Sequence, residues 1–230
     1  MLETPPYPRL LADASDNAWG DADNQQGSRP TDAVGLTPQR LHAELLTATI
    51  PVTLAYLFGS LHDATLSSRH RTVRFGQSEV LWLQGLQLLF EKLGQRSWIY
   101  REGRERRLWI LETSSRWIRT SPAFAGVDEH LAYARGYFDT EGSVPHDPAT
   151  RFYIQFVQKN WVDIGALRQM LEQIDIRCGK LHNPSVRVDS EMWRFYVLAE
   201  SHRAFAERVS SWHPLKRRRL DRWLTGRMKI

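Results

Sequence analysis

The chain has 230 residues, 42% hydrophobic and 25% charged, an ordinary globular composition for one large domain or two small ones. It has no run of about 18 apolar residues, which excludes a transmembrane helix. Its single cysteine, Cys178, excludes a disulfide framework and a cysteine-rich zinc site. Residues 1–10 lack a basic stretch followed by an apolar core. A secretory signal is therefore not expected, and a cytoplasmic (nucleoid) or organellar location is, with no membrane partner.

The net charge of +5 is unevenly spread. Residues 1–50 hold three arginines (Arg9, Arg29, Arg40) against seven acids, whereas 51–230 hold 28 basic against 19 acidic groups. The tail from Pro214 to Ile230 has seven basic groups and one acid. A basic run on a basic body points to a polyanion.

Residues 1–35 are rich in Pro, Asp, Asn, Gly and Ser without apolar period, and disorder is expected there. Thr37-Pro38 reads as the start of a short helix through Leu41, Leu45 and Leu46. The pattern from Pro51 occurs twice. The first unit, 51–122, reads as a helix from Pro51 to Leu61, a strand from Thr72 to Phe75, a helix from Glu79 to Leu93 closed by Gly94, and strands at Ser97–Arg101 and Arg107–Glu112. After a linker at 123–130, the second unit, 131–230, repeats this order. Asp128 caps a helix ending at Gly142, Arg151 to Val157 is a strand, Asn160 to Ile174 a helix, and Lys180–His182 and Trp193–Leu198 are strands. At an offset of 81, Val73 meets Ile154, Phe75 meets Phe156 and Gln77 meets Gln158 without a gap into the next helix. The prediction is an α+β fold, a duplicated αββαββα-type unit with pseudo-twofold symmetry. The strand after each opening helix is hard to see; Thr65–Ser67 and Ser143-Val144 are the candidates.

The opening helices carry the chemistry. Ala55/Gly59 and Ala132/Gly136 are small pairs spaced by four, which lets two helix backbones approach closely. Each helix then ends in carboxylates, Asp63 and Glu141, where a helix terminus prefers cations. Broken local rules at matching positions mark a functional site. Mg²⁺ or another divalent cation would relieve both penalties, and two acids with metal on a basic scaffold suggest phosphodiester hydrolysis.

Gly136-Tyr137-Phe138-Asp139-Thr140-Glu141-Gly142 resembles the LAGLIDADG motif of homing endonucleases, and Tyr56 to Ala64 resembles a degenerate first copy. The resemblance spans roughly residues 51–224. It implies two motif helices at a central interface, final acids that bind the catalytic metals, and two saddle-shaped antiparallel sheets in the DNA major groove. Carried over, the catalytic and metal-binding acids are Glu141 and Asp63. Asp63 follows Gly59 by four residues where Glu141 follows Gly136 by five, and Ala64 replaces the motif's last glycine. Asp139 matches an earlier acid that is structural in the family, and His62 takes its place in the first copy. Gln77 and Gln158 stand where the family places polar groups near the hydrolytic water, or are simply polar caps. His213-Pro214-Leu215-Lys216 resembles a late pattern whose lysine lies near the scissile phosphates; Pro122 has no such lysine after it.

Strand alternation assigns Val73, Phe75, Ile154 and Phe156 to a helix-packing face. It assigns His70, Thr72 and Arg74, with Arg151, Tyr153 and Gln155, to a DNA face. An offset of 87 adds Arg107 and Trp109, matched to Arg194 and Tyr196. Arg101, Lys180 and Arg187 suit phosphates. The implied activity is that of a monomeric endonuclease cutting double-stranded DNA at a long asymmetric target. The alternative is a DNA- or RNA-binding regulator or maturase that has lost cleavage, motivated by the irregular first motif.

Overall fold

A computed structural model describes residues 38–103, 107–119 and 123–226. The segment expected to be disordered, 1–35, and Pro122 lie outside the described residues.

Helix α1 (Pro38–Thr47) leads into α2 (Ile50–Ser60), whose N-terminus is closed by the Thr49 hydroxyl accepting from Val52 N. A 3-10 turn, Leu61–Asp63, continues α2. Strands β1 (Thr65–Ser67) and β2 (Thr72–Gln77), helix α3 (Val80–Lys92), and strands β3 (Ser97–Glu102) and β4 (Leu108–Ser114) complete the first unit. The second unit contains α4 (Val127–Glu141), β5 (Gly142–Ser143), β6 (Gln155–Gln158), α5 (Trp161–Gln173) and β7 (Trp193–Tyr196). It closes with a short helical stretch around α6 (His202–Ala204) and with α7 (Pro214–Leu224).

Both sheets are antiparallel. The first has the order β1-β2-β4-β3 and the second β5-β6-β7. The strand expected at Lys180–His182 is reduced to isolated bridges, Cys178 with Val197 and His182 with Arg194, flanking β7 where β3 flanks β4. The strand expected over Arg151–Val157 is ordered as a ladder only at Gln155–Gln158. Helix α4 begins within the expected linker, at Val127. Asp128 is therefore in its first turn rather than at the cap, and Glu129 reaches back to accept from Gly126 N.

The repeat is exact enough to extend to helix ends. In α3, Gly94 adopts φ +67, with Gly94 N donating to Glu91 O and Gln95 N to Phe90 O. In α5, 81 residues later, Asp175 takes φ +63, with Asp175 N donating to Glu172 O and Ile176 N to Leu171 O. The same left-handed stop is made by glycine once and by aspartate once, a residue that tolerates it better than most.

The apolar faces meet in one core. Val73, Phe75, Ile154 and Phe156 are buried beneath α3 and α5, as alternation requires, and Leu41 and Leu45 pack α1 onto α3. The Lys92 ammonium closes the C-terminus of α1 by donating to Leu46 O (2.7 Å) and to Ala48 O.

Pairing register corrects one sequence expectation. Gln77 pairs with Trp109 and Phe75 with Leu111, while Gln158 pairs with Trp193 and Phe156 with Phe195. The last strands therefore correspond at an offset of 84, not 87. An odd slip of three reverses every side chain's face. Trp109 is equivalent to Trp193, and both pack against the core rather than joining Arg74 on the outer face. Arg101, paired with Trp109, has the same inward parity although it is exposed at the sheet edge. Arg107 precedes β4 and is exposed at the turn.

Candidate functional site

Helices α2 and α4 pack against each other through their glycines. A Cβ built on Gly59 would lie 2.1 Å from Tyr133 O, and one on Gly136 would lie 2.1 Å from Tyr56 O. Tyr56 and Gly59 correspond to Tyr133 and Gly136 at a single offset of 77, so the two contacts are one contact related by the internal dyad. The dyad continues in the side chains. Tyr56 donates its hydroxyl to Asp139 Oδ2 (2.7 Å), and the Tyr133 hydroxyl pairs with His62 Nε2 (2.8 Å). His62 and Asp139 are themselves equivalent at that offset.

Asp139 is wholly buried and satisfied. Besides Tyr56 it accepts from Ser211 Oγ, Trp212 N (2.8 Å) and His213 N (3.1 Å). It thus anchors the chain entering α7 against α4. The Tyr56 oxygen in turn accepts from Trp82 Nε1 (2.9 Å), which ties in α3. Ser211, Trp82 and Tyr56 were not singled out by sequence. Only the proximity created by folding gives them this role.

The unequal motif spacing has a geometric answer. Helix α4 stays α-helical through Glu141, but α2 tightens to a 3-10 turn at Leu61–Asp63. One α step and three 3-10 steps rise about 7.5 Å, as do five α steps. Asp63 therefore reaches the level of Glu141 with one residue fewer. Ala64 and Gly142 both then leave their helices in extended conformations.

The two acids meet where the helices end. Burial, then the Asp63 carboxylate, push Glu141 from its ordinary 4.5 to about 8, opposed by the Gln158 amide and by Lys216. Asp63 is accessible at the mouth of this cleft, yet the surrounding protein raises its carboxyl to about 6, opposed by Lys216. Gln158 is held in place at both ends of its amide: Nε2 donates to Glu141 Oε1 (2.9 Å) and Oε1 accepts from Lys159 N (2.7 Å). Lys216, from the first turn of α7, donates to Phe138 O and Asp139 O (both 2.8 Å) and Thr140 O (3.4 Å). The cation that α4 lacks at its own C-terminus comes from α7. Burial lowers Lys216 to about 8, against the pull of Asp139, Glu141 and Asp63. In the first half, Gln77 is half-buried at the end of β2 and has no side-chain hydrogen bond among the described residues. Glu141, Gln158 and Lys216 form one constellation that Asp63 joins across the dyad; Gln77 has not been drawn into it.

These shifts set a pH dependence for the metal-free protein. Glu141 binds its proton more tightly folded than unfolded, so its stabilising effect is complete below about 4.5 and is lost as pH rises towards 8. Burial lowers His62 and His213 to about 3. They act in the opposite sense, but only below their ordinary 6.5. Between pH 6.5 and 8.5 in EDTA, Glu141 alone should cost of order 2 kcal/mol. Lys216, whose folded value of about 8 lies below its ordinary 10.5, partly offsets this, leaving a net fall of roughly 2–5 °C in Tm. Glu141→Gln should flatten that fall. A wild-type Tm that rises over the interval contradicts the placement of Glu141.

The outer faces of the sheets carry the other predicted residues. On the first, Thr72 and Arg74 share the outward parity of Tyr100, Glu102 and Glu112, but Thr72, expected at the DNA, is buried with its hydroxyl donating to Glu112; His70 is exposed in the β1–β2 turn. On the second, Gln155 and Tyr196 pair directly and Arg194 pairs with Val157, with Tyr153 edge-on to Tyr196. Arg151, Lys180 and Arg187 are exposed. Part of the basic tail turns inward: Lys216 caps α4, and Arg217 pairs with Glu44 (3.4 Å) and Asp221 (3.1 Å).

A duplicated unit with two central motif helices and two antiparallel sheets is the LAGLIDADG fold. Among solved structures, full-length DUF199/WhiA from Thermatoga maritima aligns at TM-score 0.60 and 18% identity, over 85% of this chain and 68% of its own. The N-terminal LAGLIDADG domain of DUF199/WhiA aligns at 0.58 and 15%, over 76% and 90%. I-DmoI in complex with DNA and Mn aligns at 0.53 and 16%, over 70% and 98%. No protein-family model and no curated protein sequence matches the chain.

Proposed function

We propose that this chain is a divalent-metal-dependent endonuclease that binds double-stranded DNA as a monomer and cuts it at a long asymmetric target. The observation that carries the reading is the pairing of Asp63 and Glu141 at the dyad. Two carboxylates are held at helix C-termini, one raised to about 8 partly by the other. The fold meets this cost through a local change of helix type rather than avoiding it. Structures of I-DmoI with DNA and Mn or Ca, and of an I-DmoI variant with its target DNA and Mg, support a divalent cation for this fold.

The donor set fits a hard cation. Asp63 and Glu141 offer carboxylate oxygens, and phosphate oxygens and water complete such sites. Bound there, the cation would polarise the scissile phosphate and neutralise its developing charge. Gln158 orients Glu141, and Lys216 adds positive charge behind both acids. A second reading, a DNA-binding protein without cleavage, is favoured by two observations: Lys216 has an acceptor for each of its three protons inside the fold, and Gln77 has no side-chain hydrogen bond among the described residues.

The test is incubation with supercoiled plasmids carrying the DNA that flanks the gene's own insertion site, in Mg²⁺ or in EDTA. Linear product in Mg²⁺ alone is expected. Nicked circles alone would show one working strand site. Intact plasmid with Mg²⁺ and Mn²⁺, despite binding, would establish the second reading.

A further inference from the structure

The dyad relates the two sheets in backbone but not in chemistry. With the structural offsets of 81 and 84, the outward positions of β2 and β4 have counterparts along β6, its approach and β7. Arg74 corresponds to Gln155, Thr72 to Tyr153, Ile110 to Arg194 and Glu112 to Tyr196.

The first face neutralises itself. Arg74 is hydrogen-bonded to Glu102 and lies 4.0 Å from Glu112. Glu112 also accepts from Thr72 Oγ1 (2.6 Å) and Tyr100 Oη (2.9 Å). One arginine thus stands between two carboxylates, and those carboxylates would face any phosphate that approached. For Arg74 to reach a base, both ion pairs must break and leave two acids against the DNA.

The second face has Tyr196 where the first has Glu112. Arg194 donates to Tyr196 Oη (3.1 Å) and lies 5.9 Å over that ring. Tyr196 is flanked by Tyr153 (6.1 Å) and His182 (6.3 Å). Arg74 likewise lies 6.0 Å over the Tyr100 ring and, like Arg194, has its Nε buried with no hydrogen-bond partner, so the faces differ in their acids. No acid pairs with Arg194 or Arg151 among the described residues. With no carboxylate partner, the Arg194 guanidinium can turn to guanine or phosphate without breaking an ion pair, as Arg74 cannot.

We infer that DNA is read unequally: the second sheet, through Arg194, Gln155, Tyr196 and Arg151, supplies the base recognition, and the first sheet supplies little. The inference rests on the DNA-binding half of the proposed function. It assigns the sequence information in the target to one side of the cut.

Selection from a library of random-sequence duplexes, followed by affinity measurement on the selected sequence, tests it. The selected consensus should fall on one side of its centre. Arg194→Ala should weaken binding by about tenfold or more. Gln155→Ala should also weaken it, which guards against a fold defect in the arginine variant. Arg74→Ala should change affinity less than about threefold, and Glu102→Gln with Glu112→Gln should tighten it by freeing Arg74 and removing repulsion. A consensus equally informative on both sides, or an Arg74→Ala loss matching that of Arg194→Ala, overturns the inference while leaving DNA binding intact. Wild-type protein that binds no duplex in a salt-dependent way overturns the inference and the proposed function together.

Discussion

Gly136→Ala is expected to leave little folded protein. The added methyl would stand 2.1 Å from Tyr56 O and 2.9 Å from Ser60 N, both backbone atoms of α2. Neither can turn aside as a flexible side chain would. The helices would have to separate along the surface that joins the two units, exposing the core around it. Such changes cost more than about 4 kcal/mol, a large part of the roughly 5–15 kcal/mol that holds a domain folded. Gly59→Ala should behave alike, because its Cβ meets Tyr133 O at the same distance. The double variant should cost less than the two single losses added, since one separation of the helices relieves both clashes. Gly165 is the internal control. It also lies inside a helix, but its Cβ would meet only Leu181 Cδ2 at 4.0 Å. Gly165→Ala should therefore stabilise the protein by about 0.5–1 kcal/mol through helix propensity. Urea unfolding reads all four. A Gly136→Ala protein as stable as wild type would refute the close helix packing.

Glu141→Gln is expected to reduce Mg²⁺-dependent cleavage by at least about a thousandfold while leaving affinity for DNA unchanged or higher. The amide retains an oxygen for Gln158 Nε2, so the hydrogen bond seen at 2.9 Å survives. Only the charge is lost. A single remaining carboxylate, Asp63, is a poor site for a hard cation, but removing one acid from a phosphate-facing cleft takes away repulsion. The same variant should melt higher than wild type near pH 8 in EDTA, because wild-type Glu141 must then ionise beside Asp63. Loss of binding in parallel with loss of cleavage would show that Glu141 holds the fold or the DNA rather than the metal. Undiminished cleavage would remove it from the chemistry altogether.

The sequence by itself determined the duplication, the two central helices and the apolar faces of the sheets. These follow from local periodicity: residues two apart in a strand and four apart in a helix share a face wherever the chain goes. The small pairs at Ala55/Gly59 and Ala132/Gly136 and the closing acids were legible for the same reason. Only the tertiary structure decided which way Trp109 faces, because strand register depends on hydrogen bonds between β2 and β4 and not on either strand alone. It also decided how Asp63 reaches Glu141, through a 3-10 turn that no propensity marks. Lys216, 75 residues beyond Glu141, became a cap for α4 by docking of α7. Arg74, basic in sequence, became neutral in effect once β3 and β4 set Glu102 and Glu112 beside it. In each case the deciding energy lies between groups far apart in the chain, and folding alone brings them within reach.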